Sequence, residues 1–230
     1  MQLTVRDASR LLAVSEKTIY RWIKQGGFPV YRVNEQVRFN REELLEWATA
    51  QGVKISPTLF AAPDRSGADP ATFSAALAAG GIHYGVAGAD KHAVLAAAIG
   101  LMPLPEDMDR DLLLDVILAR ESLGSTGIGD GIAIPHVRNP IVMHVSQPVV
   151  TLCFLASPVD FDAVDGKPVH TLFTIVSPMV KAHLHLLSRL AFALRHPAFA
   201  DVIARRGTRE DILTAAAASE GDVTGKEVNP

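Results

Sequence analysis

The segment Arg120–His136, RESLGSTGIGDGIAIPH, combines a histidine, an arginine and a loop of small residues. His136 follows a short apolar run and Pro135, where an imidazole can be held in a fixed orientation and still be reached by a partner. That placement suits a nucleophile. Phosphoryl transfer to histidine needs an unprotonated ring nitrogen and donors for the equatorial oxygens. Arg120, the Thr126 hydroxyl and the amides of the glycine loop could supply those donors.

Nucleotide and metal chemistry are poorly supported by the rest of the chain. No strand-like run is followed by G-x-G-x-x-G or G-x-x-x-x-G-K-[ST], and the loop 125–131 lacks the lysine and spacing of a nucleotide loop. His183 and His185 are two residues apart and point to different faces of a helix, so no metal site is predicted. We expect no cofactor. Mg²⁺ is unnecessary if the phosphoryl group arrives on another histidine rather than on ATP.

The single cysteine and the hydropathy pattern bear on location. Cys153 lies inside the apolar run VVTLCFL, which predicts a buried, inert thiol and a reducing compartment. The first ten residues have no apolar stretch behind their charges, and no segment reaches the ~18 apolar residues that a membrane span requires. We therefore expect no membrane insertion and a cytoplasmic protein.

A second pattern of interest lies near the start of the sequence. Thr4 is an N-cap candidate for a short amphipathic helix that ends at Leu12, and Ser15 caps a second helix that Gly26 and Gly27 terminate. Two helices joined by a short turn are the helix-turn-helix arrangement, in which the second helix lies in the major groove. Its outer faces carry the cationic and hydrogen-bonding side chains that phosphates and base edges require.

A hairpin and a third helix are predicted to follow. Residues 29–33 and 37–39 alternate around residues 34–36, as in a β-hairpin, and residues 41–51 have a helical period. Trp22 and Trp47 fall on the apolar periods of their helices and are interpreted as core residues. The alternative is a protein-interaction module whose positive charges form a solvated face.

The positioning elements further along the chain are helical patterns that alternate with apolar runs, typical of an α/β fold with a mixed sheet flanked by helices. The formal net charge of −3 divides into +3 for residues 1–56 and −6 for the remainder, and all eight histidines lie beyond residue 80. This asymmetry predicts two modules with different partners. We place them at 1–56 and 71–218, with a linker at 57–70 and a frayed polar tail at 219–230.

The first module resembles the winged helix-turn-helix domains of the excisionase and MerR-like class, across LTVRDASRLLAVSEKTIYRWIKQGGFPVYRVNEQVRF and the following NREELLEW. The resemblance implies that seven residues approach DNA, with the two later arginines on or beside the wing: Ser15, Lys17, Thr18, Tyr20, Arg21, Arg32 and Arg38. One such domain covers half of a typical dimeric site, so a homodimer is expected.

The stretch RESLGSTGIGDGIAIPH resembles the active-site signature of the fructose/mannitol-type enzyme IIA of the phosphoenolpyruvate-dependent sugar phosphotransferase system, shared by nitrogen-regulatory IIA proteins. The resemblance implies that His136 is phosphorylated, that Arg120 steadies the phosphoryl group and that His183 lies beside His136. Ser177 and Pro178 are expected to begin the helix of His183. The family commonly has glycine after the active histidine, and a Val137 side chain there could narrow the approach of a partner.

Three functional hypotheses follow from the two modules. The first is a regulator that accepts a phosphoryl group on His136 from a phosphocarrier protein, of the HPr or nitrogen type, and couples it to DNA binding. The second is a phosphoryl carrier that passes the group to a sugar-specific IIB domain, with the first module serving only for docking. The third is a degenerate IIA fold that only binds proteins, which the presence of Arg120, Thr126, His136 and His183 disfavours.

Overall fold

The structure is a computed structural model that describes residues 2–33, 36–51, 53, 71–137 and 145–225. The chain forms two compact units, Met1–Ala68 and Asp69–Pro230. The division between them falls within the predicted linker 57–70, and the residues of that linker lie outside the described ones. In the part of the chain that the structure describes, no helix is long and apolar enough to cross a bilayer.

The N-terminal unit is a winged helix-turn-helix, as predicted. Its described elements are β1 (Gln2–Leu3), α1 (Val5–Leu11), α2 (Glu16–Gln25), β2 (Tyr31–Val33), β3 (Gln36–Asn40) and α3 (Arg41–Ala50). The strands form an antiparallel sheet in the order β1-β3-β2. Strand β1 was not predicted, because two residues are too short to show an alternating pattern.

Both helices of the helix-turn-helix begin at the caps that the sequence predicts. Thr4 and Asp7 form a capping box, in which the Asp7 amide donates to the Thr4 hydroxyl and the Thr4 amide donates to the Asp7 carboxylate. Ser15 caps α2 by accepting the amide of Thr18. Gly26 ends α2 with a φ of 83°, a conformation that glycine adopts at little cost.

Aromatic side chains fill the core of this unit. The rings of Trp22 and Trp47 lie 5.0 Å apart between centroids, and Phe28 lies 4.6 Å from Trp47 and 5.7 Å from Phe39. Phe28 and Phe39 are buried. The interpretation of both tryptophans as packing residues therefore agrees with the structure.

The C-terminal unit is a mixed sheet flanked by helices, which confirms the predicted fold class. Its described helices are α4 (Phe73–Gly80), α5 (Lys91–Leu101), α6 (Arg110–Glu121), α7 (Val180–Ala193), α8 (Pro197–Ala204) and α9 (Arg209–Gly225). Its described strands are β4 (Ile82–Val86), β5 (Gly127–Gly129), β6 (Ile132–Ala133), β7 (Val149–Val159) and β8 (Val169–Val176), in the order β4-β7-β8-β6-β5. The pairs β4–β7 and β6–β8 are parallel, whereas β7–β8 and β5–β6 are antiparallel.

The sheet separates two hydrophobic cores, because successive side chains of a strand point to opposite faces. On one face Val149, Cys153 and Leu155 of β7 pack with residues of α5 and α6. On the other face Val150 and Phe154 pack with residues of α4, α7, α8 and α9. Burial raises the pKa of the Cys153 thiol to about 12, so the thiol is buried and neutral, as predicted.

Residues 219–225 of the expected frayed tail 219–230 are helical, and residues 226–230 lie outside the described residues. Helix α9 continues past residue 218 to Gly225, and Ser219 is buried. The Glu220 carboxylate accepts the backbone amides of Phe73 and Ser74, at 2.6 and 3.2 Å, together with the Ser74 hydroxyl. These amides belong to the first turn of α4, where a helix lacks its own acceptors. Glu220, one of the polar residues after residue 218, therefore caps the start of α4.

Candidate functional site

Residues 132–136 run along β8 in one continuous parallel register. Ile132 pairs with Thr171, Ala133 pairs with Leu172, and an isolated bridge joins His136 to Ile175 in the same register. The amide of Ile175 donates to the Pro135 carbonyl at 3.1 Å. Strand β8 is central in the sheet and therefore holds the backbone of His136 rigidly.

The alternation of this segment determines which way its side chains point. Ala133 and Val137 belong to the core beside α5 and α6, whereas Ile134 belongs to the core beside α7. His136 falls on the same side as Ile134. Val137 is fully buried on the opposite face of the sheet. The expectation that the Val137 side chain narrows the approach to His136 is therefore corrected, because that side chain packs into the core behind the histidine.

His136 is oriented by its own backbone neighbour. Its Nδ1 lies 2.7 Å from the Ile134 carbonyl oxygen, and the residue is 3% exposed. Because a carbonyl oxygen can only accept, Nδ1 must carry a proton in this contact. In the neutral ring the lone pair then lies on Nε2, the nitrogen available as a nucleophile.

His183 packs against His136. The two ring centroids are 5.1 Å apart with an angle of 37° between the planes, and His183 is also 3% exposed. His183 is the fourth residue of α7, and its amide donates to the carbonyl of Met179. The helix begins after Met179 rather than at Ser177 or Pro178, so the predicted cap is wrong by two residues.

Arg120 lies in the last turn of α6, where a cation also complements the helix dipole. Its Nη1 donates to the Gly124 carbonyl at 2.8 Å. This bond fixes the guanidinium against the loop that follows the helix. The side chain is half-buried.

Thr126 is buried, and its hydroxyl does not have the role that the sequence predicts, which is to donate to a phosphoryl group. Its amide and its hydroxyl both donate to Oε2 of Glu121, at 3.0 and 2.6 Å. The single hydroxyl proton is therefore directed to a carboxylate and not to an incoming phosphoryl group. The sequence places Thr126 correctly in the loop, but it gives no sign that its partner is the residue beside Arg120.

Two charged residues of this region were missed by the sequence analysis. Glu121 is 6% exposed, and its Oε1 lies 3.4 Å from Nζ of Lys91 on α5. Lys91 also pairs with Asp162 at 3.0 Å. In the sequence, Glu121 falls on the apolar face of α6, and a charged residue at such a position is the one sign that it has a buried partner.

A tight hairpin turn links β5 to β6 ahead of His136. Asp130 and Gly131 have φ values of 50° and 72°, as the two central residues of a type I′ turn require. A Cβ on Gly131 would lie 2.3 Å from Nε2 of His170. Gly131 is therefore required both by its backbone conformation and by this close approach.

The described residues contain no group of three His, Cys, Asp or Glu side chains that could hold a metal ion. His83, His170 and His185 lie outside the contact between His136 and His183. Burial is the main cause that lowers the pKa of each of these three.

Three of the residues of α2 that are predicted to face DNA form one exposed surface. Lys17, Tyr20 and Arg21 are exposed, and their spacing places them on neighbouring helical positions. Tyr20 is 54% exposed, although large hydrophobic side chains usually bury more of their surface. We call Lys17, Tyr20 and Arg21 the α2 face.

Three of the other residues predicted to contact DNA make hydrogen bonds within the N-terminal unit. The hydroxyls of Ser15 and Thr18 lie 2.9 Å apart and form part of the cap of α2. The Arg38 guanidinium on β3 donates to the carbonyl of Val37 at 3.1 Å. The side chain of Arg32 lies outside the described residues.

Comparison with known protein families finds two matches along the chain. The family model described as "Phosphoenolpyruvate-dependent sugar phosphotransferase system, EIIA 2" matches residues 78–217. The chain belongs to this family. A second model, described as "Helix-turn-helix domain", matches residues 3–52. Both resemblances stated from the sequence are confirmed at the level of family and fold.

Individual relatives carry either nitrogen-regulatory or sugar-transport names. A "Nitrogen regulatory protein" of Pseudomonas aeruginosa is 42% identical over 113 residues, which cover 47% of this chain and 71% of that protein. A "PTS system fructose-specific EIIA component" of Haloferax volcanii is 43% identical over 90 residues, covering 38% of this chain and 56% of that protein. This chain thus spans little more than half of the Haloferax protein.

A solved structure supports the fold of the C-terminal unit. The crystal structure of nitrogen regulatory protein IIA-Ntr from Neisseria meningitidis aligns with a TM-score of 0.54 and 28% identity. The alignment covers 62% of this chain and 97% of that one. The chain therefore joins a IIA-Ntr-like domain to a helix-turn-helix domain.

Proposed function

We propose that this protein accepts a phosphoryl group on Nε2 of His136 from a phosphocarrier protein and thereby adjusts DNA binding by its N-terminal unit. The observation that carries the first part is the bond from Nδ1 of His136 to the Ile134 carbonyl. It leaves Nε2 as the nucleophilic nitrogen of a ring that is already oriented. The names of the nitrogen-regulatory relatives support the regulatory part.

The proposed step is a transfer between two histidines. The Nε2 lone pair of His136 forms a bond to phosphorus while the nitrogen–phosphorus bond in the donor histidine breaks. The electron pair of the broken bond stays on the donor nitrogen. The Nδ1 proton of His136 remains in place, and the Ile134 carbonyl stabilises the positive charge that the ring gains. No proton has to move in this step.

Two cationic or donor groups are proposed to serve the transferred group. Arg120, held by the Gly124 carbonyl, is proposed to donate charge-assisted hydrogen bonds to the phosphoryl oxygens. His183 contacts the ring that becomes phosphorylated. Thr126 has no direct part in this proposal, because its hydroxyl donates to Glu121.

The proposed output is a change in DNA affinity. Phosphorylation adds about −1.5 to −2 charges, which can change a domain contact or a dimer equilibrium. The α2 face supports binding to DNA, since its lysine and arginine can neutralise phosphates and its tyrosine can donate a hydrogen bond.

Mass spectrometry tests the phosphoryl part. The intact protein is incubated with phosphoenolpyruvate, enzyme I and a phosphocarrier protein, and the site is mapped on peptides. Wild type and the exposed control His92→Asn should gain one phosphoryl group, whereas His136→Asn should gain none. An unmodified wild type, or a phosphorylated His136→Asn, would overturn this part.

Fluorescence anisotropy tests the coupling. The probe is a labelled duplex selected from a random-sequence pool, and the protein is compared before and after phosphorylation. The proposal expects the dissociation constant to change in wild type and to stay constant in identically treated His136→Asn. Equal affinity in both states of wild type would remove the coupling.

A second candidate is a carrier that passes the phosphoryl group to a sugar-specific IIB domain. The fructose-specific name of the Haloferax relative favours it. Labelled phosphate on His136 would then move to a purified IIB domain, and DNA affinity would not depend on phosphorylation. If no IIB domain accepts the label, this candidate fails.

A further inference from the structure

Lys91 of α5 and Glu121 of α6 form an ion pair in which the glutamate is buried. The Glu121 carboxylate is buried, and Lys91 is its cationic partner at 3.4 Å. Lys91 is held in turn by Asp162 at 3.0 Å and lies 5.3 Å from the centre of the Phe161 ring. A buried carboxylate is costly unless it is paired and hydrogen-bonded. Here Oε2 accepts two hydrogen bonds from Thr126, and Oε1 faces Lys91 in the ion pair without accepting a hydrogen bond.

Glu121 closes the loop that carries the proposed phosphate-binding groups. The loop starts at Arg120, which binds the Gly124 carbonyl, and ends at Thr126, whose amide and hydroxyl both donate to Glu121. The loop is also braced by Ser125, whose hydroxyl donates to the carbonyl of Phe161. Adjacent residues of one helix end therefore hold the middle and the end of the same loop.

Three successive hydrogen-bonded contacts, joined by the backbone of Thr126 and Ile134, lead from Glu121 to His136. The Thr126 carbonyl accepts the amide of Ile134 at 3.0 Å. The Ile134 carbonyl in turn accepts Nδ1 of His136 at 2.7 Å. Ile134 precedes a proline, which favours the extended backbone that directs these two groups. Thr126 thus holds the Ile134 amide, in addition to the register with β8, and the carbonyl of the same residue selects the tautomer of His136.

We infer that Glu121, with Lys91 as its counter-ion, is a positioning residue that keeps the His136 ring in its Nδ1–H form through Thr126 and Ile134. This inference rests on the proposed function for its effect on phosphoryl transfer. Its structural part concerns the unphosphorylated ring alone. Lys91 lies against Oε1 of Glu121, and Oε2 accepts both bonds from Thr126.

The first test measures the tautomer directly by nitrogen-15 NMR of the His136 ring in the full chain. Lys91→Met and Glu121→Gln should bring the resonances of Nδ1 and Nε2 closer together, because the fixed Nδ1–H form becomes mixed. Lys91→Arg keeps the cation and should restore the wild-type spectrum. Lys167→Met is the matched control, since this exposed lysine pairs with Asp130 outside the hydrogen-bonded chain.

The outcomes of this test separate a positioning role from general support of the fold. Circular dichroism and thermal melting identify variants that fail to fold. If Lys91→Met is one of them, Thr126→Val, which removes the hydroxyl bond to Glu121, is compared with Thr126→Ser, which keeps it. Wild-type ring resonances in a folded Lys91→Met would overturn the inference. So would an equal change in Lys167→Met, or a Lys91→Arg spectrum that matches Lys91→Met.

The second test uses phosphoramidate, a small donor that needs no docking surface. Lys91→Met should phosphorylate His136 about tenfold more slowly or worse, since a misplacement of about 1 Å can cost ~100-fold, and Lys91→Arg should recover the rate. Unchanged rates in folded Lys91→Met would overturn the inference. If wild-type His136 takes no phosphoryl group from phosphoramidate or from a phosphocarrier, the proposed function fails, and the NMR test still decides the positioning role.

Discussion

The α2 face and the His136 site place their chemistry in opposite environments. Tyr20 on the α2 face is 54% exposed, whereas His136 and His183 are each 3% exposed. The α2 face is made by one helix, while the His136 site combines the sheet with α7. Under the proposed function, exposed side chains on the α2 face can extend to the phosphates of DNA, whereas the Nε2 atom of His136 needs a fixed orientation to react. Substitutions should therefore affect the two sites in different ways.

The largest expected effect is the loss of phosphorylation in His136→Ala. Removing the ring removes the nucleophile, so incorporation of labelled phosphate should fall to the background level. DNA affinity of the unphosphorylated protein should remain that of wild type, because the α2 face is untouched. Retained incorporation in His136→Ala, with His92→Ala as the control, would contradict the assignment of the site.

Arg21→Ala tests the exposed side of the comparison. The variant should bind the selected duplex about tenfold or more weakly, as expected for the loss of one DNA contact, and melt at the wild-type temperature. Arg206→Ala, which removes the same charge from the C-terminal unit, should leave DNA affinity unchanged. If the two variants bind DNA equally well, the α2 face is not the contact surface.

Thr126→Val tests the buried side through stability. The substitution removes a donor from the buried Glu121 carboxylate and should lower the free energy of unfolding by about 1–3 kcal/mol. Thr126→Ser keeps the hydroxyl and should lose much less. Urea unfolding of the full chain, followed by circular dichroism, measures both. Equal losses in the two variants would mean that the hydroxyl contact is unimportant.

The smallest expected effect is a difference in pH dependence between the two units. Burial lowers the pKa of His83, His170 and His185 in the folded state. The unfolded chain then binds more protons, so the stability of the C-terminal unit is full above the ordinary histidine pKa and falls as the pH drops below ~6.5. The N-terminal unit contains no histidine and should show no such loss.

The two units can be followed separately in one sample. Both tryptophans lie in the N-terminal unit, so their fluorescence reports its unfolding, and amide hydrogen exchange reports the C-terminal unit. His185→Gln should reduce the pH dependence of the C-terminal unit. His185 also faces Arg189 and Lys181, which lower its pKa further, and Glu220, which raises it. An equal pH dependence in both units would exclude the histidines as its cause.

The same contrast explains what the sequence could predict. Both caps of the helix-turn-helix, its two core tryptophans and the fold class follow from local patterns and agree with the structure. The contact between His136 and His183 came from the family resemblance, because spacing says nothing about which helix packs against a strand. The pairing of Lys91 with Glu121 joins residues of two helices through a tertiary contact, which local patterns do not encode. The expectation for Val137 was wrong because the segment continues the strand register past His136, which turns the Val137 side chain into the core. The expectation for Ser177 was wrong because α7 begins after Met179.

The contact of Glu220 with the first turn of α4 has a consequence for how the C-terminal unit can be combined with other proteins. It brings the first and the last described helices of this unit, α4 and α9, to within hydrogen-bonding distance, 2.6 Å between the Phe73 amide and the Glu220 carboxylate. A unit with adjacent ends tolerates insertion into a host loop and circular permutation, since neither requires its interior to open. The same geometry makes it a portable module, provided that α9 is carried along to Gly225.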